Sequence, residues 1–232
     1  MRIGLFSDIH GNYYAFEKIY KELMQEKCDR YIFCGDICGY YFSQNEVIDM
    51  LLEIPKLVAV AGNHDMMLFK CLDDEQLFTD YTVKYGNSMM HFRKNISQRS
   101  LAFLKSLPDH YIDESAGLAV FHGSPWDYYN GYVYPTDSLD QFATLPYKYI
   151  ILGHTHYCMV REIQNIRVIN PGSSGQPRDG GDPSYGILNL ETDEVEIKRV
   201  PYDKQALIRD VNRYDREHAY LVDVLLRQIR AS

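Results

Sequence analysis

Seven residues able to bind metal recur in short polar strings along the 232-residue chain: Asp8 and His10, Asp36, Asn63, His122, and His154 with His156. Together they offer imidazole nitrogens, carboxylates and one amide oxygen. That mixture suits zinc, manganese, iron or cobalt rather than calcium or a thiolate-bound metal, and the donors suffice for two ions. Each string has an ordinary reading when taken alone. An Asp at a strand end is often a cap or turn former, and a histidine behind an apolar run is often structural. The weight lies in their joint occurrence, because a structural histidine has no reason to prefer one kind of position.

That shared position is the end of an apolar run. Ile3 to Phe6 empties into Ser7-Asp8-Ile9-His10-Gly11-Asn12, and Asn12 can cap a helix with Phe16, Ile19 and Leu23 on one face. Tyr31 to Cys34 ends at Gly35-Asp36. Ser43 and Glu46 form a capping box before Val47, Ile48, Leu51 and Leu52, and Leu57 to Ala61 then ends at Gly62-Asn63-His64-Asp65. Asp8, Asp36 and Asn63 stand 28 and 27 residues apart, about one strand-helix-strand crossover each. They should share one sheet edge, where open α/β sheets bind ligands.

Later runs repeat the arrangement. Leu118 to Phe121 precedes His122-Gly123, Tyr149 to Leu152 precedes Gly153-His154-Thr155-His156, and Arg167 to Ile169 precedes Asn170-Pro171-Gly172. Tyr185 to Leu190 and Glu194 to Val200 read as a hairpin. Residues 66–117 are less regular, with one short helix expected after Ser97, and no function is legible there. Residues 1–202 are read as one domain, followed by a helical C-terminal tail, 203–232, whose Leu221, Leu225 and Ile229 stripe packs on the domain.

Composition narrows the partners. Hydrophobic residues make up 46% and charged residues 24%, which fits a self-folding globular chain rather than a disordered one. A net charge of −8 argues against binding duplex nucleic acid or an anionic membrane surface. Five cysteines without paired zinc spacing read as unpaired thiols, so a reducing compartment is expected. With no leader core and no membrane span in the text, the reading is cytoplasmic, as a monomer or homodimer.

The series Asp8-x-His10, Gly35-Asp36, Gly62-Asn63-His64-Asp65, His122-Gly123 and Gly153-His154-x-His156 resembles the calcineurin-like metallophosphoesterases, in order, across residues 1–175. Within that superfamily the chain is most similar to small bacterial phosphoesterases of the YfcE-like kind, a likeness to which Asn170-Pro171-Gly172-Ser173 contributes. The resemblance implies a four-layer αββα sandwich, two packed mixed sheets flanked by helices. It implies that Asp8, His10 and His156 hold one metal, that Asn63, His122 and His154 hold the other, and that Asp36 bridges them. It further implies two divalent transition-metal ions, manganese ahead of iron, zinc, nickel or cobalt. His64 would serve the leaving-group oxygen, with Asp65 orienting its ring.

The implied chemistry is phosphoester hydrolysis. Two ions about 3.5–4 Å apart can share a hydroxide that attacks phosphorus in line. With two carboxylates among the ligands, the centre keeps a charge of roughly +2, which draws phosphate into an acidic protein. Arg178 either clamps a phosphate bidentately or pairs with Asp179 on a solvated loop. Protein phosphatases and diadenosine tetraphosphate hydrolases of the superfamily usually carry Asp-Arg-Gly after the bridging Asp. This chain has Ile37-Cys38-Gly39-Tyr40-Tyr41 instead, which turns the expectation away from phosphoproteins. The expected substrate is a small phosphodiester, with a phosphomonoester or a nucleotide or dinucleoside polyphosphate as alternatives. Tyr40, Tyr41, Tyr128, Tyr129, Tyr132 and Tyr134 read first as interface or surface packing and second as a wall that stacks a base or sugar. A protein-binding scaffold of the same fold is the non-enzymatic rival. Loss of turnover should show as a missing ligand, and none is missing.

Overall fold

The computed structural model describes residues 1–227. Its first half alternates as the apolar runs require: β1 (Arg2–Phe6), α1 (Tyr13–Gln25), β2 (Arg30–Phe33), α2 (Gln44–Glu53), β3 (Leu57–Ala59) and α3 (Asn63–Asp73). Asn12 caps α1 by accepting from the Ala15 N–H at 3.1 Å, and Phe16, Ile19 and Leu23 form its buried stripe. β1, β2 and β3 run parallel, because each crossover carries a helix back across the same face.

Two mixed sheets result, ordered β10-β9-β1-β2-β3 and β4-β5-β6-β8-β7. The second contains β4 (His110–Asp113), β5 (Leu118–Phe121), β6 (Tyr149–Ile151), β7 (Cys158–Ile163) and β8 (Ile166–Pro171), with β5, β6 and β8 mutually parallel. The hairpin β9 (Ser184–Asn189) and β10 (Glu194–Arg199) extends the first sheet beside β1. Strand alternation divides the core. Ile3 and Leu5 point between the sheets, to Ile32, Val60, Val120, Ile151 and Ile169, while Phe6 points outward to Phe16 and Phe33. Each such buried aliphatic side chain contributes about 2 kcal/mol by leaving water. The expected sandwich is therefore present. Over the second sheet its outer cover is thin: Val133, Leu139 and a 3₁₀ helix (Asp140–Thr144) carrying Phe142.

Residues 66–117 hold more structure than the sequence suggests. α3 is followed by α4 (Glu75–Tyr85), α5 (Ser88–Asn95) and α6 (Gln98–Ser106), of which only α6, capped by Ser97, carried a legible signal. The Ser43 box does not form, since its side chain makes no cap bond to α2. The tail folds as α7 (Lys204–Tyr214) and α8 (Tyr220–Asp223); Leu207, Val211, Leu221 and Leu225 bury Tyr40, Tyr41 and Phe42. Ile229 lies outside the described residues. Among those described, no helix is long and apolar enough to cross a membrane.

Candidate metal centre

All seven candidate ligands lie at or just beyond the C-terminal ends of the parallel strands β1, β2, β3, β5 and β6, where the two sheets face each other. The backbone there departs from the ordinary. Asp8, His10, Asp36, His154 and His156 have φ of 55°, 52°, 66°, 66° and 63°, a left-handed region that costs about 1–2 kcal/mol for a residue with a Cβ. Such turns, at the ends of β1, β2 and β6, aim side chains into one space, which Asn63 after β3 and His122 after β5 also enter. Gly62 is required for that convergence, because a Cβ there would stand 2.0 Å from Asp36 Oδ1.

Two groups of donors come together within ligand reach: Asp8, His10 and His156, and Asp36, His122 and His154. Asn63 Oδ1 joins the second at 3.0 Å from both His122 Nε2 and His154 Nδ1. Asp36 Oδ2 lies between the groups, 3.6 Å from His10 Nε2 and 3.4 Å from His122 Nε2. Its Oδ1 accepts the His64 backbone N–H at 2.9 Å. His64 is also within ligand reach of His10 and Asp36.

The donor set fits cations on a direct observation. His10 Nδ1 donates to the Cys38 carbonyl at 2.7 Å and His156 Nδ1 to the Gln176 carbonyl at 2.6 Å, so each ring's proton is used and both Nε2 lone pairs face inward. Those two Nε2 atoms are 3.1 Å apart, and His156 Nε2 is 3.3 Å from Asp8 Oδ1. Buried acceptors crowded together without a proton between them repel unless a cation lies there. Asp8 Oδ1 and His154 Nε2 are also buried without a hydrogen-bond partner. The electrostatics agree for His10 and His156. Burial pushes His10 and His156 well below the usual imidazole range, leaving both rings neutral and able to bind a cation. Burial pulls His122 down as well, but the Asp36 carboxylate outweighs it and lifts this imidazole to about 9.

Asp65 does not orient the His64 ring, as the sequence suggested. Its carboxylate accepts four backbone N–H groups: Gly62 at 2.9 Å, Asp36 at 3.0 Å, and Ile37 and Cys38 at 2.9 Å each. It thereby fastens the Asp36 loop to the start of α3. Removing it would leave four buried donors unsatisfied, so Asp65→Ala should lower the unfolding free energy by about 3–5 kcal/mol in urea titration of the metal-free protein. A loss below about 1 kcal/mol would show that the carboxylate does not hold this loop.

The group on the His64 ring is instead Tyr81 of α4, whose hydroxyl is hydrogen-bonded to Nδ1. Arg178 is also not paired with Asp179, which binds Arg199 at 2.6 Å. Arg178 donates to Tyr40 Oη at 2.9 Å and lies over that ring, and its own backbone N–H reaches the His156 carbonyl at 3.4 Å. A guanidinium absent from the loop after Asp36 is thus held at the centre by that loop's tyrosine. The tyrosines divide. Tyr40 and Tyr41 are buried, Tyr128 packs on Phe121, and Tyr129 lines a groove with Met66, Phe69 and Leu104. Tyr132 packs against His154 with ring centroids 4.2 Å apart, and Tyr134 lies parallel to it at 5.7 Å; they are 55% and 38% exposed.

Residues 1–193 match the calcineurin-like phosphoesterase superfamily domain. The chain belongs to that superfamily. It is therefore a metal-dependent phosphoester hydrolase in class, with clustered His and Asp residues as its metal-binding candidates. It is 33% identical to an uncharacterised protein of Methanocaldococcus jannaschii, over 87% of this chain and 88% of that one. Phosphodiesterase YfcE of Escherichia coli is 24% identical, over 91% of this chain and 97% of YfcE. Among solved structures, a metallophosphoesterase from Sphaerobacter thermophilus superposes with a TM-score of 0.80 at 25% identity, covering 98% and 99% of the two chains.

Proposed function

We propose that this superfamily member is a two-metal phosphodiesterase acting on a small phosphorylated molecule. The observation that carries the reading is the crowding of His10 Nε2, His156 Nε2 and Asp8 Oδ1 beside Asp36, His122, His154 and Asn63. In this proposal Asp8, His10 and His156 hold one ion, Asn63, His122 and His154 the other, and Asp36 serves both. When bound, the ions supply a deprotonated water at neutral pH and neutralise charge on the phosphoryl oxygens. Manganese is the ion proposed, and the nitrogen and oxygen ligand set admits it beside zinc, iron and cobalt. A cytoplasmic setting is supported by five free thiols.

The chain's own residues provide the rest. Arg178, positioned by Tyr40, offers donors to a phosphoryl oxygen, and the neutral His64 ring offers an N–H that stabilises charge on the departing oxygen. Tyr132 and Tyr134 give exposed aromatic rings with parallel planes beside His154, suited to the organic group that a diester carries and a monoester lacks. The diesterase activity named for the relative YfcE supports the same class.

With Mn²⁺, kcat/KM should be higher on bis-p-nitrophenyl phosphate than on p-nitrophenyl phosphate. Tyr132→Ala should narrow that preference roughly fivefold or more, in keeping with the loss of one stacking contact. A monoester preference above about tenfold, or an unchanged ratio in the variant, would refute the substrate assignment while leaving the two-metal reading intact.

A further inference from the structure

We infer that Tyr81 is a positioning residue that holds the His64 proton on Nε2, so that the neutral ring can donate a hydrogen bond from Nε2–H to the departing oxygen. The inference rests on the proposed role of His64 and concerns the device that sets its tautomer. Tyr81 comes from α4, outside every string of candidate ligands, yet its hydroxyl reaches His64 Nδ1 in the interior, where both residues are buried. No other hydrogen-bond partner of that hydroxyl occurs among the described residues. A phenol carries one proton, and here Nδ1 is the acceptor available to it. If Nδ1 carried the imidazole proton instead, the phenolic proton would be buried without an acceptor, which is the costlier arrangement. The neutral ring therefore accepts at Nδ1 and keeps its proton on Nε2.

The surroundings prevent the ring from escaping this arrangement. His64 is enclosed by His10, Tyr40 and Tyr85, each with ring centroids 5.0 Å away, and Tyr81 packs edge-on at 5.8 Å. Gly39 leaves the space that Nδ1 needs, because a Cβ there would stand 2.6 Å from it. The carboxylate nearest in sequence, Asp65, is occupied by four backbone N–H groups. Tyr81 thus performs, from a distant helix, the orienting task that the adjacent acid does not.

The test uses the full chain loaded with zinc, which is diamagnetic, and labelled with ¹⁵N-histidine. His64 signals are assigned by their loss in His64→Gln. Long-range ¹H–¹⁵N spectra of the wild type should show a protonated Nε2 and an unprotonated Nδ1 at His64, and Tyr81→Phe should shift those signals toward a mixture of tautomers. With Mn²⁺, Tyr81→Phe should lower kcat roughly tenfold on a phenyl diester and about twofold or less on the p-nitrophenyl diester, with KM and metal content unchanged. A wild-type His64 protonated at Nδ1 would overturn the inference, and this measurement needs no folded variant. So would an unaltered tautomer in a folded Tyr81→Phe. The spectra also separate the two readings: an Nε2 proton set by Tyr81, together with no leaving-group dependence in His64→Ala, would refute the leaving-group role of His64 and leave the positioning role standing.

Discussion

An Asp36→Asn variant should lose both metals and turnover together. Metal content measured after dialysis against trace Mn²⁺ should fall from two ions per chain to less than one, and kcat/KM on the diester should fall by more than about 10³-fold. The reason is local. Asp36 Oδ1 accepts the His64 N–H, and an asparagine oxygen can keep that bond. Oδ2 faces His10 Nε2 at 3.6 Å and His122 Nε2 at 3.4 Å, and there the variant would place an amide N–H₂. The variant also loses the carboxylate that holds the His122 imidazolium in the metal-free wild type, so the metal-free variant should be the less stable of the two. Added Mn²⁺ should raise the Tm of the wild type and leave the variant unmoved, because only a native state that binds metal is stabilised by it. Two tightly bound ions per chain in the variant would refute the bridging role.

His64→Ala should separate chemistry from metal binding. In the proposed assignment His64 is a hydrogen-bond donor to the departing oxygen rather than a ligand, so two ions should remain bound while turnover falls by about 10²–10³, the range for loss of one preorganised donor to developing charge. The fall should be smallest for p-nitrophenolate, which departs without protonation, and larger for phenolate or an alcohol. Since Nδ1 is engaged by Tyr81, the effect should be traced through Nε2. An equal loss across leaving groups would assign His64 to charge stabilisation at phosphorus, and loss of an ion would assign it to the ligands with which it also lies in reach.

The ligand strings were readable because they obey a local rule. An apolar run, a turn and a polar side chain are contiguous in sequence, and the crossover length fixes their repeat, so Asp8, Asp36 and Asn63 could be placed at one edge before any coordinates. The arrangement of the two sheets followed from the resemblance that these strings carry. What was not readable depends on contacts between distant segments. Tyr81 sits on a helix whose residues give no strong periodic signal, and its role exists only where α4 crosses His64. Asp65 was misjudged because adjacency to His64 suggested a ring contact, whereas the start of α3 turns the carboxylate back onto Gly62 and the Asp36 loop. Tyr40 and Tyr41 looked like surface residues in a loop until α7 and α8 covered them. A search for buried phenols near His64 could have found Tyr81, but burial on α4 is a tertiary fact.

The most direct test of the central claim is a stoichiometric titration of metal-free wild-type protein with Mn²⁺, following hydrolysis of bis-p-nitrophenyl phosphate and bound metal in the same samples. The account predicts little activity at one ion per chain, a rise to full activity as the second binds, and a plateau at two. Full activity at one ion per chain, or hydrolysis undiminished after complete chelation, would contradict it.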